Sequence, residues 1–320
     1  MPSRLLARLL AGLGVILGVV TLTFVLLHLA PGDPAVHLAG PAATPEQLAA
    51  LRTELGLDHP LWRQFGEWLI RAGRGDWGRS VATGRPVARM LLEAWPATAL
   101  LVLTSLGGSY LFAIVLGLWQ VRASRRVDTS LTTASVTLFA MPGYWLAVLL
   151  VWLFAYHLRW LPAFGAQGLD ADFLGPADRL LDRMRHLALP FLTLTLIGVG
   201  GALRFIRGAL LDVRGEPFLV AAQARGLPNA VVSRRYLLAN ALGPVMTLLG
   251  LSLPAIFSGA IFVEGIFAWP GVGQVLIQGV AARDYPVVMA AATVSAILVV
   301  AGNLLADGLR ALVDPRIRDA

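Results

Sequence analysis

The sequence predicts an all-α, polytopic membrane protein with six transmembrane helices. Of its 320 residues, 57% are hydrophobic and 14% are charged, against about 25% charged in a typical soluble domain. A chain this apolar cannot cover itself with polar surface, so lipid must solvate part of it. Crossing about 30 Å of hydrocarbon takes roughly 20 residues. Six uncharged runs meet that length, at residues 9–30, 97–121, 130–156, 187–203, 241–263 and 287–306.

The distribution of arginine predicts that both termini are cytoplasmic. Every one of the 26 basic residues is Arg. With the N-terminus inside, the cytoplasmic pieces hold 14 Arg and six acidic residues, whereas the other side holds 12 Arg and 13 acidic residues. This asymmetry is the positive-inside bias of membrane proteins. The net charge of +7 is therefore explained by topology, and we expect no nucleic-acid partner.

The first helix is followed by a long external segment. The run at 9–30 exceeds the roughly 7–15 apolar residues of a secretory signal and lacks a cleavage motif, so we expect an uncleaved helix. In the external segment, Thr44, Pro45, Gln47 and Gly56 are the start and stop signals of a helix. Residues 61–70 form an amphipathic stretch that would lie on the membrane surface, shield the mouth of a pathway or simply cap the bundle.

These features divide the chain into four parts. We expect a cytoplasmic N-terminus with the first helix (1–30), an external segment (31–95), a five-helix core (96–312) that includes a cytoplasmic loop at 204–239, and a cytoplasmic tail (313–320).

Proline and glycine interrupt several predicted spans. Membrane helices tolerate such residues where neighbours satisfy the freed backbone groups. Kinks there would suit a pathway that opens and closes, and they fit static packing equally well. The glycine-rich residues 198–201 are interpreted as close helix packing and residues 271–273 as a turn. The prolines within the spans are Pro142, Pro190, Pro244 and Pro254.

The cytoplasmic loop at 204–239 is longer than a connection needs to be, and it contains a short helix signature. Glu216 stands at the cap, Pro217 at the first helical position, and Gly226 where a left-handed residue would end the helix. A helix of about two turns is marginal alone in water, so we expect it to seat in a groove on another protein. Its predicted contact face consists of Phe218, Ala221, Ala222 and Arg225.

The remaining polar residues do not form a catalytic or metal site in the sequence. The five His residues are scattered without metal-ligand spacing, and no Ser-His-Asp set, paired carboxylates or phosphate loop is evident. We therefore expect neither an enzyme nor a chain that holds a cofactor or metal. Glu264 lies at the predicted outer end of the fifth helix; it is a candidate external gate or, alternatively, a solvated or Arg-paired residue.

A run that begins at Ala221, AAQARGLPNAVVSRRYLLANALGP, resembles the cytoplasmic loop of ABC importer permeases. The pattern of that loop is Glu-Ala-Ala, then any three residues, then Gly. Ala221, Ala222 and Gly226 fit that pattern, and Val220 stands where the family has Glu. Motifs of the dipeptide, oligopeptide and nickel permease subfamily follow in order along nearly the whole chain. They include LAPGDPA, GDWGRSVATGRPV, MPGYWLAVLL, WLPAFG, VEGIFAWPGVG, RDYPVV and ALVDPRIR.

This resemblance implies a transport subunit of the bacterial inner membrane. Two cytoplasmic ATPase subunits would bind ATP and Mg²⁺, and the short helix around 221–226 would be the coupling helix docked on one of them. A second homologous permease and an extracytoplasmic solute-binding protein would complete the importer. Peptides are the expected cargo, with nickel as the alternative. A stand-alone channel or secondary transporter is a second class, disfavoured because ionisable residues within the spans are scarce, and a membrane enzyme is a third.

Overall fold

A computed structural model describes residues 2–30, 36, 43–54, 56 and 58–313, and within them the protein is helical without a β-strand. One isolated antiparallel bridge joins Arg79 and Pro86. The helices before the predicted core are α1 (Pro2–Leu29), α2 (Pro45–Glu54) and α3 (Leu61–Gly73). The later helices are α4 (Val87–Gln120), α5 (Arg125–Ala140), α6 (Gly143–Leu150), α7 (Pro176–Arg214), α8 (Pro217–Ala224), α9 (Ala239–Ile266), α10 (Val272–Ala281) and α11 (Tyr285–Val313).

The helices confirm the prediction of an all-α polytopic membrane protein. Five are long and apolar enough to cross a membrane, and a sixth span is present if one bent pair is counted as a single crossing. The five straight candidates are Leu6–Leu29, Val87–Gln120, Pro176–Arg214, Leu248–Ile266 and Tyr285–Leu305.

The predicted third span, residues 130–156, is not one straight helix. The α5 helix ends at Ala140, and the chain restarts as α6 and continues through a π-helical segment, Val151–His157, at an angle of 105° to α5. Pro142 explains the break, since it donates no backbone hydrogen bond and disfavours helical geometry at the preceding residue. Met141 is accordingly extended, with φ −77° and ψ 130°.

Two compact units divide the chain. The first contains residues 2–98 and 270–300. Its core forms where α4 packs with α10 and α11, around Val87, Leu91, Val272 and Ala290. The predicted start and stop signals of α2 are confirmed: Thr44 and Gln47 exchange backbone-to-side-chain hydrogen bonds of 3.0 and 3.3 Å, and Gly56 has φ +67°.

The second unit contains residues 99–269 and the C-terminal residues from 301. In it α7 packs against α5, α6 and α9. The predicted close packing at 198–201 is confirmed, because a Cβ atom on Gly200 would lie 2.8 Å from the backbone nitrogen of Phe139 and 3.0 Å from the carbonyl oxygen of Ser135. Helices approach this closely only where one of them lacks a side chain.

One interpretation of the sequence is wrong, and two others include residues that lie outside the described ranges. Residues 271–273, interpreted as a turn, instead start α10, with Gly271 as its extended N-cap. The predicted external segment, 31–95, includes residues 31–35, 37–42, 55 and 57, which lie outside the described residues. Of the predicted tail, 313–320, residues 314–320 lie outside the described residues. The cytoplasmic placement of the termini stays a prediction.

Candidate functional site

The predicted short helix of the cytoplasmic loop is present as α8. Pro217 occupies its first turn, where a missing N–H costs no hydrogen bond. Glu216 stands at the predicted N-cap with extended geometry, but its side chain makes no hydrogen bond to the first turn. Gly226 has φ +71°, so it ends the helix in the left-handed conformation as predicted. The helix thus has the expected bounds, and its N-terminus depends on backbone geometry instead of a carboxylate cap.

The structure separates the four predicted contact residues of α8 into two groups. Phe218 is 40% exposed, and Ala221 and Arg225 are also exposed, at i, i+3 and i+7 on one side of the helix. Ala222 is 3% exposed and is buried together with Leu219, against the chain itself. Successive residues are about 100° apart on a helix, so Leu219 and Ala222 lie on a side roughly 90° from the side that carries Phe218, Ala221 and Arg225. The first side anchors α8 on the chain, and the neighbouring exposed side is available to a partner.

A π-helical segment, Val232–Leu238, follows α8 and leads into α9. Its Ser233 hydroxyl donates a 2.8 Å hydrogen bond to the carbonyl oxygen of Asn229. Helices with this wider winding are rare and occur frequently at functional sites. Between α8 and this segment lies a cavity of about 320 Å³, which we call the α8 cavity.

An ion pair that the sequence analysis did not find braces the helix ends near α8. Arg207 donates from Nε and Nη2 to the two carboxylate oxygens of Asp128, each over 2.7 Å. Gln120, which is 2% exposed, donates to the same carboxylate over 2.9 Å and to the Thr132 hydroxyl over 2.9 Å. These bonds join the end of α4, the start of α5 and the last turns of α7. The sequence does contain a signal, since Asp128, between the second and third predicted spans, and Arg207, in the predicted loop at 204–239, fall on the same predicted side of the membrane.

Glu264 lies inside α9, in its last turn, and not beyond the helix end. Its side chain is fully buried, so the alternative of a solvated residue is wrong for this chain. Its carbonyl oxygen accepts a 2.9 Å hydrogen bond from the backbone N–H of Trp269, and the Phe267 carbonyl accepts one of 2.8 Å from Gly165. Glu264 therefore lies where the end of α9 is tied to the loop before α7. Its role as an external gate stays a prediction.

A second buried carboxylate organises the first unit. Asp284 is 2% exposed, and one of its oxygens accepts hydrogen bonds from the Ser80 hydroxyl over 2.5 Å and from the Ala82 N–H over 3.1 Å. Its other oxygen accepts from the N–H of Val287 over 3.3 Å, which caps α11. The Asp-x-Pro sequence at 284–286 is an N-terminal helix signal that could have predicted the cap. The bond to Ser80, far away in sequence, could not have been predicted.

Among the residues that the structure describes, no three or more His, Cys, Asp or Glu side chains lie together as a metal site would require.

The chain is similar to known transport proteins over nearly its whole length. Residues 109–319 match the family described as "Binding-protein-dependent transport system inner membrane component", and residues 1–102 match the N-terminal part of such membrane components. The oligopeptide transport system permease protein AppB of Bacillus subtilis is 34% identical over 319 residues, 99% of each chain.

Two further relatives have comparable similarity. The probable D,D-dipeptide transport system permease protein DdpB of Escherichia coli is 37% identical, covering 95% of this chain and 94% of the relative. The glutathione transport system permease protein GsiC of Salmonella choleraesuis is 35% identical, covering 99% of each.

Proposed function

The chain belongs to the family of binding-protein-dependent transport system inner membrane components, and from that premise we propose that it is a permease subunit of an ATP-driven importer of peptides. It is a multi-pass inner membrane protein. The observation that carries the proposed cargo is that relatives matched from end to end are named for oligopeptides, D,D-dipeptides and glutathione, all of them peptides or peptide-like. These relatives do not favour nickel as the cargo.

Uptake of a labelled dipeptide tests the cargo. Cells that lack only this chain should lose uptake, and the gene returned on a plasmid should restore it. Unchanged uptake in the deletion strain, with no second peptide importer present, would contradict the proposal. Uptake of ⁶³Ni²⁺ in the same strains checks the alternative cargo and should be unaffected by the deletion.

The complete importer is proposed to contain four further proteins. A second homologous permease would form the other half of the pathway, two cytoplasmic ATPase subunits would bind ATP and Mg²⁺, and a solute-binding protein would deliver the peptide. Depleting ATP while the proton gradient is maintained should abolish uptake. Uptake that follows the proton gradient instead would indicate a secondary transporter.

The geometry of α8 supports a role as the contact with an ATPase. Its inner side, Leu219 and Ala222, is buried against the chain, so a push on its outer side would be transmitted to the helices behind it. Its outer side offers an exposed phenylalanine, Phe218, next to the small Ala221 and the charged Arg225. A large apolar group beside a small residue suits insertion into a groove, and Arg225 is available to an acidic residue of the partner.

Replacing Phe218 tests that contact. Burying a fully exposed phenylalanine stabilises a complex by about 1.5–3 kcal/mol. Because Phe218 is 40% exposed before binding, Phe218→Ala should weaken ATPase binding by roughly three- to eightfold. Phe205→Ala is the matched control, because Phe205 is also an exposed phenylalanine (53%) but lies on α7. Copurification of the ATPase with a tagged permease is the measurement. Equal retention by the two variants would contradict the assignment of α8.

Glu264 is proposed as part of an external gate because a fully buried carboxylate at the end of a spanning helix is costly to maintain. Glu264→Gln keeps the shape and removes the charge, so it should alter peptide uptake at unchanged membrane levels. Glu93→Gln is the control, since Glu93 is exposed and paired with Arg85. Indistinguishable uptake in the two variants would contradict the role.

A further inference from the structure

The α8 cavity is lined by basic and neutral residues. It lies within the second unit, between the end of α4, the end of α7, α8 and the π-helical segment. Its lining contains two arginines, Arg122 and Arg214, and none of the described residues that line it is acidic. The acidic residues of the adjoining chain, Asp212 and Glu216, are exposed and do not belong to the lining. The described lining therefore carries two positively charged side chains and no carboxylate.

The hydrogen bonds of the two arginines hold their charged groups at the cavity wall. Arg214 Nη1 donates to the carbonyl oxygen of Val121, and Arg122 Nη2 donates to that of Asn229 over 3.3 Å. Both acceptors belong to residues that line the cavity. A guanidinium group has five N–H donors, and within the described part of the chain each of these two groups makes only that one hydrogen bond. The other donors are available to a ligand.

The rest of the lining divides into a polar and an apolar part. The side-chain amide of Gln223, on α8, supplies neutral donors beside the arginines. Leu219, Val232 and Leu237 are 2–5% exposed and form an apolar wall. The volume, about 320 Å³, is far larger than one water molecule needs. The cavity can thus accept an anion together with some of the apolar group attached to it.

We propose that the α8 cavity binds a phosphate group, supplied either by the headgroup of an anionic phospholipid or by inorganic phosphate. Guanidinium groups present donors in a planar fork that matches phosphate oxygens. Both arginines are exposed, so a phosphate group can reach them from solvent. The mixed lining favours phosphate over a purely apolar ligand, which would offer no acceptor to the remaining guanidinium donors.

Occupation of the cavity has a mechanical consequence. Gln223 and Leu219 belong to α8, and Val232 and Leu237 belong to the π-helical segment. A bound phosphate would contact both elements and hold α8 in place, so the anion would tune any movement transmitted through α8. This tuning rests on the proposed function of α8. The binding itself does not, and its failure would leave the proposed function intact.

Binding of defined phosphate probes to the purified full-length chain tests the proposal. Inorganic phosphate is titrated into the chain in dodecyl maltoside, with chloride keeping the ionic strength constant, and binding is followed by calorimetry. In a second arm, native mass spectrometry compares retention of phosphatidylglycerol with that of phosphatidylcholine. Saturable phosphate binding identifies the free anion as a ligand, and preferential retention of phosphatidylglycerol identifies the lipid; either supports the site.

Two variants assign the binding to this cavity. Gln223→Glu places a carboxylate in it and should weaken binding about tenfold, as should Arg122→Gln, which removes one guanidinium. Tenfold corresponds to about 1.4 kcal/mol, within reach of one hydrogen bond to a charged group. Gln278→Glu, at an exposed position on α10, is the matched control and should leave binding unchanged. No saturable binding in either arm, or affinities unchanged in both cavity variants, would overturn the proposal.

Discussion

The contact between α5 and α7 leaves no room for a side chain at Gly200, and Gly200→Ala tests this directly. The added Cβ atom would lie 2.8 Å from the Phe139 nitrogen and 3.0 Å from the Ser135 carbonyl oxygen. Real Cβ atoms essentially never lie under 3.0 Å from another nonbonded heavy atom. The two neighbours are backbone atoms of a helix and cannot rotate away, so the substitution forces the helices apart.

Two opposing effects determine the magnitude. Alanine stabilises a helix interior by about 0.8–1.0 kcal/mol relative to glycine, whereas forcing an extra methyl group into a packed contact costs about 1–3 kcal/mol. Gly208→Ala isolates the first effect, because Gly208 is on the same helix and a Cβ atom there would meet no atom within 4 Å. The difference in the free energy of unfolding between the two variants should therefore be about 1–3 kcal/mol, with Gly208→Ala the more stable.

Thermal unfolding in dodecyl maltoside, followed by intrinsic tryptophan fluorescence, measures this difference. The comparison removes the contribution of helix propensity, since both substitutions are glycine to alanine in α7. Equal shifts of Tm in the two variants would refute the close approach of α5 and α7.

Three further predictions follow from other contacts. Gly226→Ala places a side chain at φ +71°, which costs about 1–2 kcal/mol, so it should lower peptide uptake at equal membrane levels. The control Gly215→Ala, at φ −78°, should leave uptake unchanged. Equal uptake by the two variants would contradict the role of the left-handed end of α8. Asp128→Ala should lower the free energy of unfolding by about 1–3 kcal/mol, a value between those of exposed and buried ion pairs because the pair is partly exposed. In a double-mutant cycle with Arg207→Ala the two effects should be non-additive. Additive shifts of Tm would contradict the coupling. Asp284→Ala removes a helix cap and leaves buried donors unpaired, at a cost of about 2–4 kcal/mol in the free energy of unfolding. Trypsin should therefore cleave the loop that contains Ser80 and Ala82 more readily. Unchanged cleavage would contradict the anchoring of this loop by Asp284.

Local signals in the sequence predicted local structure well. The reciprocal capping of Thr44 and Gln47 and the left-handed Gly226 were predictable because each depends on residues within a few positions. The apolar runs predicted the spans for the same reason, and Pro142 marked a place where a helix is weakened. The size of the bend, 105°, depends on packing and could not be predicted.

Features that depend on distant residues were missed or assigned differently. Helical periodicity predicts Ala222 on the contact face with Phe218, because it gives the angle between two residues but not which of them faces the protein. The bonds of Asp128 to Arg207 and of Asp284 to Ser80 join residues 79 and 204 positions apart. The predicted topology puts Asp128 and Arg207 on the same side of the membrane, and only the fold shows that they meet.

The break between α5 and α6 constrains what can surround it. The last carbonyl groups of a helix and the first amides of the next have no partner within their own helix, and Pro142 supplies no amide. Acyl chains cannot satisfy such groups, so irregular backbone at membrane depth is tolerated only against protein or in a water-filled cavity. Lipid should therefore be excluded from the neighbourhood of Met141 and Pro142, and a hydrated passage or a neighbouring subunit should occupy it.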